Sequence, residues 1–147
     1  MQSEDFDAGA EIRALASARA GAIASFVGLV RDNNEGSEVG AMTLEHYPGM
    51  TEKSIMAIMQ EAGARWSVLD CTVIHRVGTL RPADQIVLVA AASSHRSDAF
   101  AACEFIMDYL KTRAPFWKKE RTPVGERWVE ARASDDEAAA RWGDNHR

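Results

Sequence analysis

The strongest constraint on this chain is residues 85–94, QIVLVAAASS, ten consecutive positions without a charged side chain. At about half of the roughly 20 apolar residues that a membrane-spanning helix requires, it is too short to cross a bilayer and is expected as a core strand. The chain has 147 residues, a length that predicts one domain over 1–147, with residues 1–10 as an acidic N-terminal extension and 143–147 as a polar tail. A chain of this size buries roughly two-thirds of its unfolded surface, enough for a core without staples. With 46% hydrophobic and 27% charged residues it is too apolar to be disordered. The opening MQSEDFDAGAEIR lacks the basic-then-apolar order of a secretory signal, so a cytoplasmic protein that does not engage membranes is expected.

Two helices and several strands can be placed around that core strand. Residues 22–30 (AIASFVGLV), 41–47, 71–77 and 127–131 have strand character, and 11–20 is an Ala-rich helix-compatible stretch. Ile55, Ile58, Met59 and Ala62 recur at helical spacing in a helix that Thr51 is placed to cap and that runs to about Arg65. Phe100, Cys103, Met107 and Leu110 mark a second long helix over 96–113, ended by Ala114-Pro115. Ser134 and Glu137 have capping-box spacing and open a short final helix toward Trp142. Residues 31–40 (RDNNEGSEVG) concentrate turn formers and predict a loop, and Arg81-Pro82 marks a turn. Strands interrupted by only two long helices favour an α+β layer fold over a doubly wound sheet.

Seventeen basic against 22 acidic residues give a net charge of −5, which opposes a surface built to grip nucleic acid. The basic residues nevertheless cluster: KTRAPFWKKER, 111–121, carries Lys111, Arg113, Lys118, Lys119 and Arg121 against Glu120 alone. Lys111 and Lys118 can converge on one anion or serve in proton transfer; alternatively Lys111 pairs with Asp108 and the helix dipole. His95 and Arg96 sit at a strand-to-helix junction, where imidazole and guanidinium can meet a phosphate; the plain alternative is a surface pair beside a capping Ser94. Arg31 follows the strand holding Phe26 and either closes over a ligand or is a solvated strand end. Phe116-Trp117 suits base stacking or simple packing.

His46, His75 and His95 fall on separate elements without metal-ligand spacing, so no metal is expected, and His46 and His75 read as packed strand residues. No GxSxG context supports a Ser-His-Asp triad. Cys71 and Cys103, in apolar surroundings, are expected as free buried thiols.

Several collinear blocks, FVGLVRDNNEG (26–36), LEHYPGMTEK (44–53), VIHRVG (73–78), SSHRSDAF (93–100), FIMDYLKTRAPFWKKE (105–120) and RWVEAR (127–132), resemble the large, catalytic subunit of molybdopterin synthase, the MoaE family. The resemblance spans roughly residues 20–142. It departs from the family pattern at Leu29, Arg121 and the GDNHR tail, none of which touches the lysines or the His-Arg pair.

The resemblance implies an α/β-hammerhead-like domain, mostly antiparallel sheet packed with two long helices. It implies a sulfurtransferase of molybdenum cofactor biosynthesis, with no cofactor of its own, acting on cyclic pyranopterin monophosphate. Sulfur would arrive as the C-terminal Gly-Gly thiocarboxylate of a small ubiquitin-like subunit, on a homodimer that becomes a heterotetramer. Carried onto matching positions, Lys111 would stabilise or capture the carboxyl end of that tail. Lys118 would assist proton transfer and charge neutralisation as the cyclic phosphate opens and sulfur adds. Arg31, His95, Arg96 and Arg132 would hold phosphate and pterin, some from the second protomer, and Phe26 and Met107 would line the pocket, with core packing an equal role for Met107. Two rivals stand beside this reading: a nucleic-acid module using 111–121, and a scaffold that docks the small subunit without chemistry.

Overall fold

The computed structural model describes residues 1–34, 37–38, 40–129 and 133–143. In chain order the elements are α1 (Ala8–Ala14), β1 (Ala22–Leu29), β2 (Asn33–Asn34), β3 (Ser37–Glu38), β4 (Ala41–His46), α2 (Met50–Arg65), β5 (Val68–His75) and β6 (Gly78–Leu80). They continue with β7 (Gln85–Ser93), α3 (Arg96–Thr112), β8 (Phe116–Thr122), β9 (Gly125–Val129) and α4 (Ala133–Ala140).

The uncharged run is the central strand of an antiparallel sheet ordered β1-β7-β5. Its alternate side chains enter two different cores. Val87, Val89 and Ala91 pack under α2 and α3 with Ile55, Ile58, Ala102, Phe105 and Ile106. Leu88, Ala90 and Ala92 pack on the other side with Leu15, Ile12 and Phe6, contributed by α1 and its flanks. A strand covered on both faces has no side on which a polar residue could meet water, which is why its sequence carries no charge. A second antiparallel sheet has the order β6-β4-β8-β9. Val30, Leu44 and Leu80, with Met42 and Ile86, form the small core that joins it to the first. The result is the mixed, mostly antiparallel α+β architecture with two long helices expected from the sequence. Among the described residues no helix is long and apolar enough to cross a membrane.

Local details differ from the sequence reading for identifiable reasons. Residues 116–122, read as a basic cluster, form strand β8, because β4 and β9 pair with it on both sides. The turn-rich 31–40 segment contains the short β2–β3 pair. Thr51 is not the cap of α2: it lies inside the helix, fully buried, and its hydroxyl donates to the Pro115 carbonyl (3.0 Å) and accepts from the Tyr47 amide (3.1 Å). Gly49 occupies the N-cap with φ 86°, a conformation that favours glycine, and its amide donates to the Glu52 carboxylate (2.8 Å). At α3 the N-cap position belongs to His95, which makes no side-chain capping bond, rather than to Ser94.

The acidic N-terminal extension is a strap across the end of β5. The Gln2 amide donates to the His75 carbonyl (3.1 Å) and the Val77 amide to the Gln2 carbonyl (2.9 Å). Arg76 holds the strap through the Ser3 carbonyl (3.1 and 3.2 Å), and Gln85 through Asp5 and the Phe6 carbonyl (2.8 Å each).

Candidate active site

Lysines 111 and 118 come from different elements, the last turn of α3 and the middle of β8. Strand alternation sorts the basic cluster around them. Phe116, Lys118 and Glu120 share the inner face of β8, while Trp117, Lys119 and Arg121 face outward. The outer cations are already engaged. Lys119 and Arg121 lie 3.5 and 3.8 Å from Glu126, and Lys119 sits over the Trp128 ring. Arg113 pairs with Glu61 at 2.9 Å and stacks on Tyr109. Asp108, weighed above as a partner for Lys111, instead accepts from the Trp142 indole (2.6 Å) and from Arg141 (3.4 Å). Glu120 is fully buried, with Arg127 at 3.9 Å.

The charges of both lysines reach a buried imidazole. His75, the last residue of β5, stacks on Phe116 with ring centroids 4.0 Å apart and planes at 21°. Its Nδ1 lies 2.8 Å from the Arg76 carbonyl, an acceptor, so Nδ1 carries the hydrogen. Burial pushes the imidazole pKa down to about 3, opposed by that hydrogen bond and reinforced by the positive charges of Lys118, Lys111 and the amino terminus. Between that value and the ordinary 6.5 the unfolded chain binds a proton that the folded chain refuses. The stability present above pH 6.5 is therefore lost as pH falls toward 3. In urea titrations at descending pH, His75→Phe should lose less stability than the parent over that interval.

Phe26 lies on the α3 side of β1 and is 43% exposed; Met107, one helical turn before Lys111, is half-buried against the main core. Arg31 is exposed just beyond β1, at the end of the sheet where β5 finishes in His75, since Leu29 pairs with Gln85 and His75 with Val87. His95 and Arg96 are also exposed, but at the far end of the same sheet, where Ala22 pairs with Ser93. Gly21 lets the chain pass there: a Cβ on it would overlap the Ser94 carbonyl. Fifteen helical steps lead from Arg96 to Lys111, about 23 Å along α3. The structure thus brings Lys111, Lys118 and Arg31 to one end of the molecule and sets His95-Arg96 at the other. Arg132 lies outside the described residues.

Sequence reasoning read His75 correctly as packed but not as the ring that feels both lysines. The available signal was the period-two pattern Phe116, Lys118, Glu120, which puts an aromatic, a cation and an acid on one face of a strand. The thiols are poorly suited to nucleophilic work. Burial raises the pKa of Cys71, and that of Cys103 to about 11, with Asp70 and Glu104 adding to the respective shifts.

Fold and site together define an α+β domain in which two ammonium groups from separate elements share the electrostatic surroundings of a buried imidazole. The model of the family described as "MoaE protein" matches residues 1–113. The molybdopterin synthase catalytic subunit of Ralstonia nicotianae is 64% identical over 145 residues, covering 97% of this chain and 82% of that one. The solved MoaE protein of Burkholderia ambifaria superposes with a TM-score of 0.82 at 61% identity, over 97% of this chain and 95% of that one. A Helicobacter pylori chain from a complex of subunits 1 and 2 of molybdopterin-converting factor shares the fold at 19% identity, TM-score 0.67, over 84% and 80%. The chain belongs to the MoaE family, the catalytic subunits of molybdopterin synthase. It is accordingly an enzyme of molybdenum cofactor biosynthesis, a sulfurtransferase that converts a pyranopterin to molybdopterin.

Proposed function

We propose that this chain takes sulfur from the C-terminal Gly-Gly thiocarboxylate of a small ubiquitin-like subunit and adds it to cyclic pyranopterin monophosphate. The observation that carries the residue assignment is that Lys111 and Lys118, from separate elements, both act electrostatically on one buried ring, His75. Thiocarboxylate and phosphate are both anions, and their mutual repulsion in a site of reduced dielectric is offset by two ammonium groups. Lys111, exposed at the end of α3, is placed to receive the tail. Lys118, half-buried on the inner face of β8, is placed deeper, where it neutralises charge and moves a proton as the cyclic phosphate opens and sulfur adds. Phe26 and Met107 flank this end of α3 and suit the wall of a pterin pocket. The two-subunit complex named for the Helicobacter pylori chain supports a small sulfur-carrier partner.

The separation along α3 favours a site shared between two copies. About 23 Å is too far for one pterin phosphate to bridge from Lys111 to Arg96 of the same chain. In a homodimer the second copy supplies His95 and Arg96, and two small subunits complete a heterotetramer. Arg132 is assigned to the same substrate on its place in the RWVEAR block.

The defining test mixes the chain with thiocarboxylated small subunit and cyclic pyranopterin monophosphate and assays the dithiolene product. Arg96→Ala should weaken substrate binding by roughly tenfold or more, the loss of one charge-assisted hydrogen bond, and leave small-subunit binding unchanged. Titration calorimetry with each ligand separates the two. Mixing Arg96→Ala with Lys118→Ala chains should restore product, because one site of the mixed dimer then holds both wild-type residues. Unchanged substrate affinity would remove Arg96 from the phosphate site, and failed restoration would put both residues in one chain's site.

A further inference from the structure

The chemistry assigned so far leaves His75 unused, although the charges of both lysines reach its ring. Three observations define what its ring can do. The ring lies on Phe116, and Phe116 and Lys118 project from the same face of β8 two residues apart, about 7 Å along the strand. Its Nδ1–H is committed to the Arg76 carbonyl, which leaves Nε2 of the neutral ring with a free lone pair. The charges around it are Lys118 from β8, Lys111 from α3 and the amino terminus, all positive. The adjacent Arg76 guanidinium is turned to the Ser3 and Gln85 carbonyls and to Asp5.

A ring so reluctant to take a proton is neither a general base for an ammonium group nor a proton donor at neutral pH. It can still accept a hydrogen bond. We propose that His75 is a positioning residue for sulfur transfer, its Nε2 accepting a hydrogen bond from the Lys118 ammonium and aiming that group at the reacting anions. A carboxylate in the same place would orient Lys118 but cancel its charge; a neutral imidazole orients it and leaves the full positive charge for the substrate. The stack on Phe116 and the Nδ1 bond fix the ring, so the acceptor does not move when the ligand arrives.

The activity arm of this inference rests on the sulfurtransferase reading, and the structural arm does not. With nitrogen-15 histidine labelling, the His75 ring should remain the neutral Nδ1–H tautomer from about pH 8 to about pH 5, the range in which an ordinary histidine titrates. Its Nε2 resonance should shift in Lys118→Met. Titration near 6.5, the Nε2–H tautomer, or a resonance indifferent to Lys118→Met would overturn the proposal. In single-turnover assays His75→Phe keeps the stack and removes the acceptor, and should slow product formation roughly 10–100-fold at saturating substrate, the loss of one hydrogen bond to a charged group. KM for the pyranopterin and affinity for the small subunit should not change, and His75→Gln, which restores an acceptor, should recover most of the rate. A wild-type rate in His75→Phe, or no recovery with Gln, would reduce His75 to packing. If the wild-type chain itself gives no product, the sulfurtransferase reading fails, and the spectra on wild type and Lys118→Met still decide the His75–Lys118 contact.

Discussion

Lys118→Ala should bring dithiolene formation to background, a loss of about 10²–10⁴-fold, while the chain folds and binds the small subunit as before. The expectation rests on position. Lys118 is the inward-facing lysine of β8, held between two paired strands, so its ammonium is placed by the sheet rather than by a mobile tail. Lys118→Arg should not rescue the rate, because a guanidinium keeps its proton at any relevant pH and its planar fork does not fit the space of an ammonium. A product assay with matched small-subunit binding measures the effect. Full turnover in Lys118→Ala would return the scaffold reading, in which the chain docks the small subunit without performing chemistry.

Phe105→Ala should cost about 3–5 kcal/mol of folding stability, read as a lowered urea midpoint. Phe105 is fully buried at the point where three aromatic rings meet: Trp66 after α2 at 5.3 Å, Tyr109 on α3 at 4.6 Å, and Trp142 after α4 at 5.7 Å. Arg65 lies over the same ring at 4.9 Å. These neighbours come from three separate segments, so none can collapse into the cavity without moving its helix. A cost below about 1 kcal/mol, the size of a well-tolerated volume-conserving change, would mean that this junction of α2, α3 and the C-terminal segment is loosely packed. The same substitution should leave the chemistry intact in the folded fraction, since Phe105 does not face the lysines.

Much of this molecule was legible in the sequence because its signals are local. The uncharged run named the central strand, since a strand buried on both faces tolerates no charge. The helical stripes through Ile55 and Ile58, and through Cys103 and Leu110, named the two long helices, because one face of each had to enter the core. The collinear resemblance singled out Lys111 and Lys118 as the candidates that the assays above would test. What lay beyond the sequence depends on pairing between distant segments. Whether 116–122 is a strand is settled by β4 and β9 lying beside it, and a run of five charged or hydroxyl-bearing residues in seven carries little strand signal of its own.

The charged residues show the same division. Sequence determined which cations exist and that they cluster over 111–121. The tertiary structure decided which turn inward, because the period-two pleat of β8 sends Lys118 to one side and Lys119 and Arg121 to the other, where Glu126 meets them. It also decided that His75 lies within the electrostatic reach of Lys111 and Lys118 and that His95-Arg96 stands a helix length away from Lys111. Distances along a chain do not report distances across a fold: His75 and Phe116 are far apart in sequence and touch ring to ring, whereas α3 holds Arg96 and Lys111 apart because a helix is a rigid rod.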